Sequence, residues 1–359
     1  MINNYQTGDQ VHEEVDFIIV GQGIAGIALS WELQKIGARV LVFDHTNPQS
    51  SSRVAAGLYN PITGRNMVKT WKADQLFPVI EPFYSELDEL LKIHSLHSTG
   101  IYRPFFTNEE CNDWQGKMSA PEYAPYIASV ESQSIAVAGI NDPLGGIKLR
   151  KAGYVDLSRL LNGYKKWLNA KGIYRNHLFK SDNLELLSNG AVYGTYKAAK
   201  VIYCRGMDED DSFFSWLPFT PVKGELMDVK CEAGFDFILN RGVFLVPLGD
   251  EKFRLGSTYT RSSTQVFDDG AEKELKEKLS VIYSEEISVK ERKVGIRPAT
   301  KDRKPFVGLH PEHPQLGVFN GFGSKGVSMT PYFAHQFARH LVFGEGIDAE
   351  VDIQRYYSL

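Results

Sequence analysis

The residues with the clearest chemical meaning form a glycine turn and an acid beyond it. Gly21-Gln22-Gly23-Ile24-Ala25-Gly26 reads GxGxxG, and Asp44 stands about 20 residues further on. Gly21 permits a tight turn, and Gly23 lets the backbone approach a pyrophosphate. Gly26 allows a helix to pack closely on a strand, while the amides from Ile24 and Ala25 onward open a helix whose positive end faces phosphates. Asp44 is placed to accept hydrogen bonds from an adenosine ribose, and its charge repels a 2′-phosphate. The ligand class is therefore FAD or NAD rather than NADP; the alternative is the same turn holding no dinucleotide.

The sequence has no Ser/His/Asp triad pattern and no paired-carboxylate constellation. His94 with His97, and His310 with His313, are i,i+3 pairs; both read as exposed loop residues, and no metal site is expected. Cys111, Cys204 and Cys231 have no CxxC spacing and read as reduced, mostly buried thiols.

The elements that must position the turn follow from periodicity. Val15 to Val20 reads as a buried strand, Ile24 to Ile36 as a helix closed by Gly37, and Arg39 to Phe43 as a second strand, together one right-handed βαβ unit. Further helices are predicted over 81–94, 156–171, 272–283 and 331–343. Gly242 to Leu248 and Lys252 to Gly256 read as an antiparallel hairpin through Gly249-Asp250-Glu251. Residues 1–14 read as a polar arm. The fold class is α/β: a Rossmann-like nucleotide lobe with an inserted mixed or antiparallel-sheet lobe.

The chain's 359 residues and 43% hydrophobic content suit a packed two-lobed protein. Its 40 basic and 44 acidic residues, 40 − 44 = −4, give no general attraction to nucleic acid or membranes. The N-terminus has no apolar signal-peptide core, and no run of about 18 apolar residues marks a membrane span. A cytoplasmic protein is expected.

Several separated motifs then resemble the D-amino-acid oxidase superfamily of FAD enzymes, which includes glycine oxidase, sarcosine oxidase and D-amino-acid dehydrogenases. The resemblance runs from Val15 to Leu341. It covers the small-residue loop Ser50 to Gly57, Gly153-Tyr-Val-Asp156, the strand and turn Val201 to Gly206, and Pro221-Val-Lys-Gly-Glu225. It continues through Gly256-Ser-Thr258 to the two most specific stretches, Gly295 to Gly308 (GxRPxTxDxxPxxG) and Asn320 to Val327. Arg205 departs from the small residue usual beside Gly206.

The resemblance implies FAD, oxidation of the C–N bond of a small amino acid or N-substituted glycine, hydride transfer to flavin N5 and hydrolysis of the imine. It implies a discontinuous FAD-binding domain (15–95, 150–215 and 293–359) and a substrate domain (96–149 and 216–292). FAD is expected to be non-covalent, since Ala299-Thr300 stand where covalent relatives carry a cysteine. Ala55, Ala56 and Gly57, with Gly206, Gly323, Ser324, Gly326 and Val327, are the implied flavin contacts. The segment after Gly323 is expected to open a helix capped by Ser328 or Thr330, with Pro331 in its first turn; its positive end would face the reduced flavin's N1–C2=O.

Arg297 is the expected carboxylate anchor, because a guanidinium fork binds a carboxylate bidentately; a structural ion pair before Pro298 is the other reading. Lys325 either adds a charge at the flavin or lies at the surface. Tyr154, Phe244 and Tyr259 are pocket walls by motif neighbourhood, or ordinary core and hairpin packing. Arg254 lies where the resemblance places, in some oxidases, a basic group that helps oxygen react; the preferred reading is a solvent-facing hairpin residue.

Ala56-Gly-Leu-Tyr-Asn-Pro61 and Gly323 to Gly326 also resemble the FAD domain that removes a carboxymethyl group from tRNA wobble uridine. Arg53, Arg65, Lys69 and Lys72 are a local basic stripe for that alternative, or a solvated face. A flavin-binding protein without turnover, or an NAD dehydrogenase sharing the turn, are readings of another class.

Overall fold

Residues 13–64, 66–207 and 213–357 are described in a computed structural model of the chain. Strand β1, Glu13–Val20, ends in a continuous buried run, Phe17 to Val20, because the sheet is covered on both faces there. It pairs in parallel with β2, Val40–Asp44, on one side and with the strand Tyr196–Tyr203 on the other. Helix α1, Ile24–Lys35, completes the βαβ unit.

Tyr196–Tyr203 divides the sheet. Its first half pairs antiparallel with Gly190–Tyr193, whereas its second half pairs in parallel with Leu316–Asn320. The chain's late segment thus joins the same sheet as its earliest strand, with Tyr196–Tyr203 between them. A second, nine-stranded sheet is antiparallel throughout except where Ile238–Arg241 runs parallel to Ile101–Pro104. Its strands Val222–Lys230 and Ser288–Arg297 pair along their whole lengths, and the expected hairpin forms from Val243–Gly249 and Lys252–Gly256.

α1 is buried on nearly every side because the last helix, Gly326–Phe343, packs on its outer face. Its polar residues are satisfied there: Ser30 Oγ lies 2.9 Å from Tyr164 OH, and buried Glu32 pairs with Lys35 and His335.

Some boundaries move. Glu13 and Glu14 belong to β1, while residues 1–12 of the expected arm lie outside the described residues. The helix expected from Glu81 spans Ala73–Leu91 and contains Pro78 and Pro82; Leu76, Phe77, Ile80, Phe83, Tyr84 and Leu87 give it an apolar face that outweighs both prolines. The surface helix ends at Ser280, since Ile282 and Tyr283 turn into the core. The last helix starts at Gly326, not Pro331, with Lys325 at its N-cap. Ser328 and Thr330 are therefore buried helix residues rather than caps.

The expected lobe boundary at 293 falls inside Ser288–Arg297, which lies wholly in the second sheet. His310 is buried and its Nδ1 accepts from the amides of Glu312 and His313, and His97 stacks on Tyr154 at 4.5 Å; only His94 of the four is exposed. All three cysteines are free and buried. Among the described residues no helix is long and apolar enough to cross a membrane, and no His/Cys/Asp/Glu group could hold a metal.

Candidate active site

A cavity of about 880 Å³ runs between the parallel sheet and the second sheet. At one end stand Gly21, Gly23, Ile24 and Ala25. Gly21 has φ +101°, and a Cβ there would lie 2.6 Å from Cys204 O. A Cβ on Gly26 would lie 1.9 Å from Gly21 O, so only glycine lets α1 start so close to the turn. The first turn of α1 carries no acid, which suits a phosphate.

Asp44 lines the same end, its Oδ1 accepting from Gln22 N (2.9 Å) and its Oδ2 from Tyr174 OH (3.1 Å). Gly206, at φ +65°, and Arg205 stand across from it; Gly206 O accepts from Asn320 Nδ2 at 2.8 Å.

Further along, Ala55, Ala56 and Gly57 form the wall. A Cβ on Gly57, at φ +73°, would lie 1.9 Å from Val155 O. Gly323, Ser324, Gly326 and Val327 close that end. The first amides of the last helix are left without intrahelical acceptors there. These cradles, which Cβ atoms would fill, fit a long dinucleotide lying from Asp44 to Val327.

Arg297 lines the cavity at the end of its strand. Its Nη2 donates to Ser257 Oγ (2.8 Å), and its Nη1 to Thr258 O (3.3 Å) and Lys223 O (3.4 Å). No carboxylate among the described residues pairs with it, so the reading as a structural ion pair does not hold. Burial pushes its pKa down from the usual guanidinium value, with the nearby Tyr259 opposing. A guanidinium has five N–H donors, and three protein oxygens leave capacity for an anionic ligand.

Phe244 lines the cavity; Tyr154 and Tyr259 do not. Tyr154 is buried against His97, while Tyr259 is 66% exposed with its ring centroid 5.7 Å from Arg297 Cζ. Lys325 is also outside the lining. Its ammonium donates to Thr70 Oγ1 at 3.4 Å, and burial, then Arg303, lower its pKa.

Arg254 is not solvent-facing. It grips Asp228 through Nε (2.7 Å) and Nη2 (3.0 Å), and its Nη1 reaches Ala55 O at 3.4 Å. Lys293 adds a second cation 2.7 Å from Asp228. Burial raises the Asp228 pKa, but Arg254 and then Lys293 outweigh it and hold the carboxyl below its usual range.

Ser52, in the small-residue loop, and a loop of the second sheet complete the lining. Ser52 Oγ accepts from Ile24 N at 3.1 Å. Ser263, Thr264 and Gln265 reach across from the second sheet, and Gln265 Nε2 donates to Gln49 O at 2.9 Å. They lie on a loop without motif or periodicity.

This geometry, a glycine-cradled channel meeting a partly buried cation that no described carboxylate pairs, at a sheet interface, fits a flavin-dependent oxidoreductase. Residues 16–340 match the DAO family of FAD-dependent oxidoreductases, and the chain belongs to that family. A glycine oxidase of Pseudomonas aeruginosa is 24% identical over 350 residues, 88% of this chain and 91% of that one. The chain spans about half the length of a bifunctional ThiO/ThiG protein of Trichormus variabilis (22% identity, 91% of this chain, 52% of that one). It covers 58% of a tRNA 5-methylaminomethyl-2-thiouridine biosynthesis bifunctional protein of Shewanella pealeana, at 22% identity over 90% of this chain. The fold matches the glycine oxidase of Geobacillus kaustophilus with TM-score 0.75 and 22% identity, covering 96% and 99% of the two chains.

Proposed function

We propose that the chain oxidises the C–N bond of a small amino acid or N-substituted glycine, with Arg297 holding the substrate carboxylate. The observation that carries this is the partly buried Arg297 guanidinium in the cavity wall, supported only by neutral oxygens. A buried cation without a counter-charge is costly, and a bound carboxylate offsets that cost with two charge-assisted hydrogen bonds. Bound FAD supplies the two-electron acceptor, held non-covalently, as none of the three cysteines lies by Ala299-Thr300.

The protein's own part is orientation. Arg297 fixes the carboxylate, Phe244 supplies an apolar wall, and the turn from Gly323 to Val327 aims backbone amides at one end of the cavity. No side chain is required as a strong base, because a neutral amine is already the reactive form. Lys325, turned to Thr70, is assigned no charge role at the substrate. Three free buried thiols support a reducing, cytoplasmic setting.

The tRNA alternative is supported by the relative from Shewanella pealeana. Against it, two cations of the basic stripe are paired with carboxylates: Lys69 with Asp74, and Lys72 with Asp348 and Glu350; Arg53 keeps its charge and donates to Asn162. Arg65 lies outside the described residues.

The test is anaerobic bleaching of the flavin band by glycine, sarcosine, D-amino acids, proline and tRNA carrying carboxymethylaminomethyl-uridine. Bleaching by a small amino acid that Arg297→Ala weakens about 100-fold or more supports the reading. Bleaching by the tRNA alone replaces it with the alternative, and a flavin that nothing bleaches points to a non-catalytic flavoprotein.

A further inference from the structure

Gly224 sits inside the strand Val222–Lys230, paired directly with Gly295 of the neighbouring strand. Its backbone is not in the left-handed region, so its conformation is open to any residue. Glycine in a strand interior weakens the strand, and it persists where something must approach the backbone closely. Here that something is the guanidinium of Arg297. A Cβ built on Gly224 would meet Arg297 Nη2 at 2.1 Å, Cζ at 2.4 Å and Nη1 at 2.5 Å, and these are its three nearest atoms. The positively charged group occupies the space a Cβ would take, Nη2 closest.

We propose that Gly224 is a positioning residue for Arg297: its missing side chain is the seat that sets the height and tilt of the guanidinium in the cavity. The proposal rests on Arg297 as the carboxylate anchor. Ser257 Oγ and the carbonyls of Thr258 and Lys223 hold the group laterally, while Gly224 sets how deep it sits. A methyl group at 224 must push Nη2 from 2.1 Å to an ordinary contact near 3.4 Å, a rise of 3.4 − 2.1 = 1.3 Å. The atoms it meets are the end of a flexible side chain, so the fold tolerates the change while the fork loses its pose. A misplacement of about 1 Å at a binding group can cost up to about 100-fold.

The experiment uses flavin-loaded protein and acetate as a carboxylate that cannot be oxidised. Acetate is titrated against the visible flavin spectrum in wild type, Gly224→Ala, Arg297→Lys and the double variant. The expected result is at least tenfold weaker acetate binding in Gly224→Ala, with flavin content and melting temperature close to wild type. In the Arg297→Lys background, which has no planar fork to displace, Gly224→Ala should change binding less than twofold. Equal loss in both backgrounds, wild-type affinity in Gly224→Ala, or failure of that variant to retain flavin would each overturn the seat. Arg297→Ala run in parallel separates the two ideas: wild-type acetate affinity there removes the anchor itself, whatever Gly224 does.

Discussion

Replacing Tyr84 with phenylalanine isolates a single buried hydroxyl. Pro331 is the sixth residue of the helix Gly326–Phe343 and has no N–H, so the carbonyl of Val327, four residues earlier, loses its helical donor. Tyr84, from the helix Ala73–Leu91, donates its hydroxyl to that carbonyl at 3.0 Å, and its side chain is fully buried. Tyr84→Phe keeps the ring and strips the donor, leaving a buried carbonyl unsatisfied at a cost of about 1–3 kcal/mol. The expected result is a lower urea midpoint with an unchanged slope, followed by tryptophan fluorescence. In a Pro331→Ala background the alanine amide restores the helical bond, so the same substitution should cost less than about 0.5 kcal/mol. A Tyr84→Phe protein as stable as wild type, or an equal loss in both backgrounds, would refute the assignment of this donor.

Two further outcomes follow from the cavity. Gly57→Ala forces a methyl group into Val155 O at a positive φ, so the purified protein should carry well under half the wild-type flavin per chain by absorbance ratio. Asp228, with its pKa held down by Arg254 and Lys293, stabilises the fold while ionised. A depressed carboxylate contributes above its unfolded pKa, near 4, and loses that contribution as pH falls through its folded value. Asp228→Asn should therefore lower melting temperature at pH 7 and narrow its gap to wild type below about pH 4.

The βαβ unit was legible because one local pattern carries strand, turn and helix; Gly26 packs on Gly21 within that unit, while the closeness of Gly21 to Cys204 and the bond from Tyr174 to Asp44 come from outside it. The hairpin 243–256 was legible for the same reason. Long-range facts were not. Arg254 looks solvent-facing from its own strand, and only the pairing with Asp228 on the neighbouring strand turns it inward. Both proline-bearing helices start earlier than expected, because tertiary packing carries Pro78 and Pro82 inside one and the Tyr84 hydroxyl replaces the N–H that Pro331 lacks in the other. Tyr154 sits in a motif near the cavity, yet its strand points the ring at His97. Gly224 stood in a recognisable motif, while its relation to Arg297 needs the sheet.

Because the second half of Tyr196–Tyr203 pairs with Leu316–Asn320, and the last helix covers α1, the first unit made is among the last to be finished. During synthesis β1 and α1 emerge early with their apolar outer surfaces, Ile24 and Ile27 among them, awaiting a partner. No partial chain can grip the cofactor at both ends, since Gly21 and Val327 line the same cavity. Until the last helix docks, a nascent chain therefore carries exposed apolar surface on its first unit and an incomplete cofactor channel, the condition in which chaperones hold a chain.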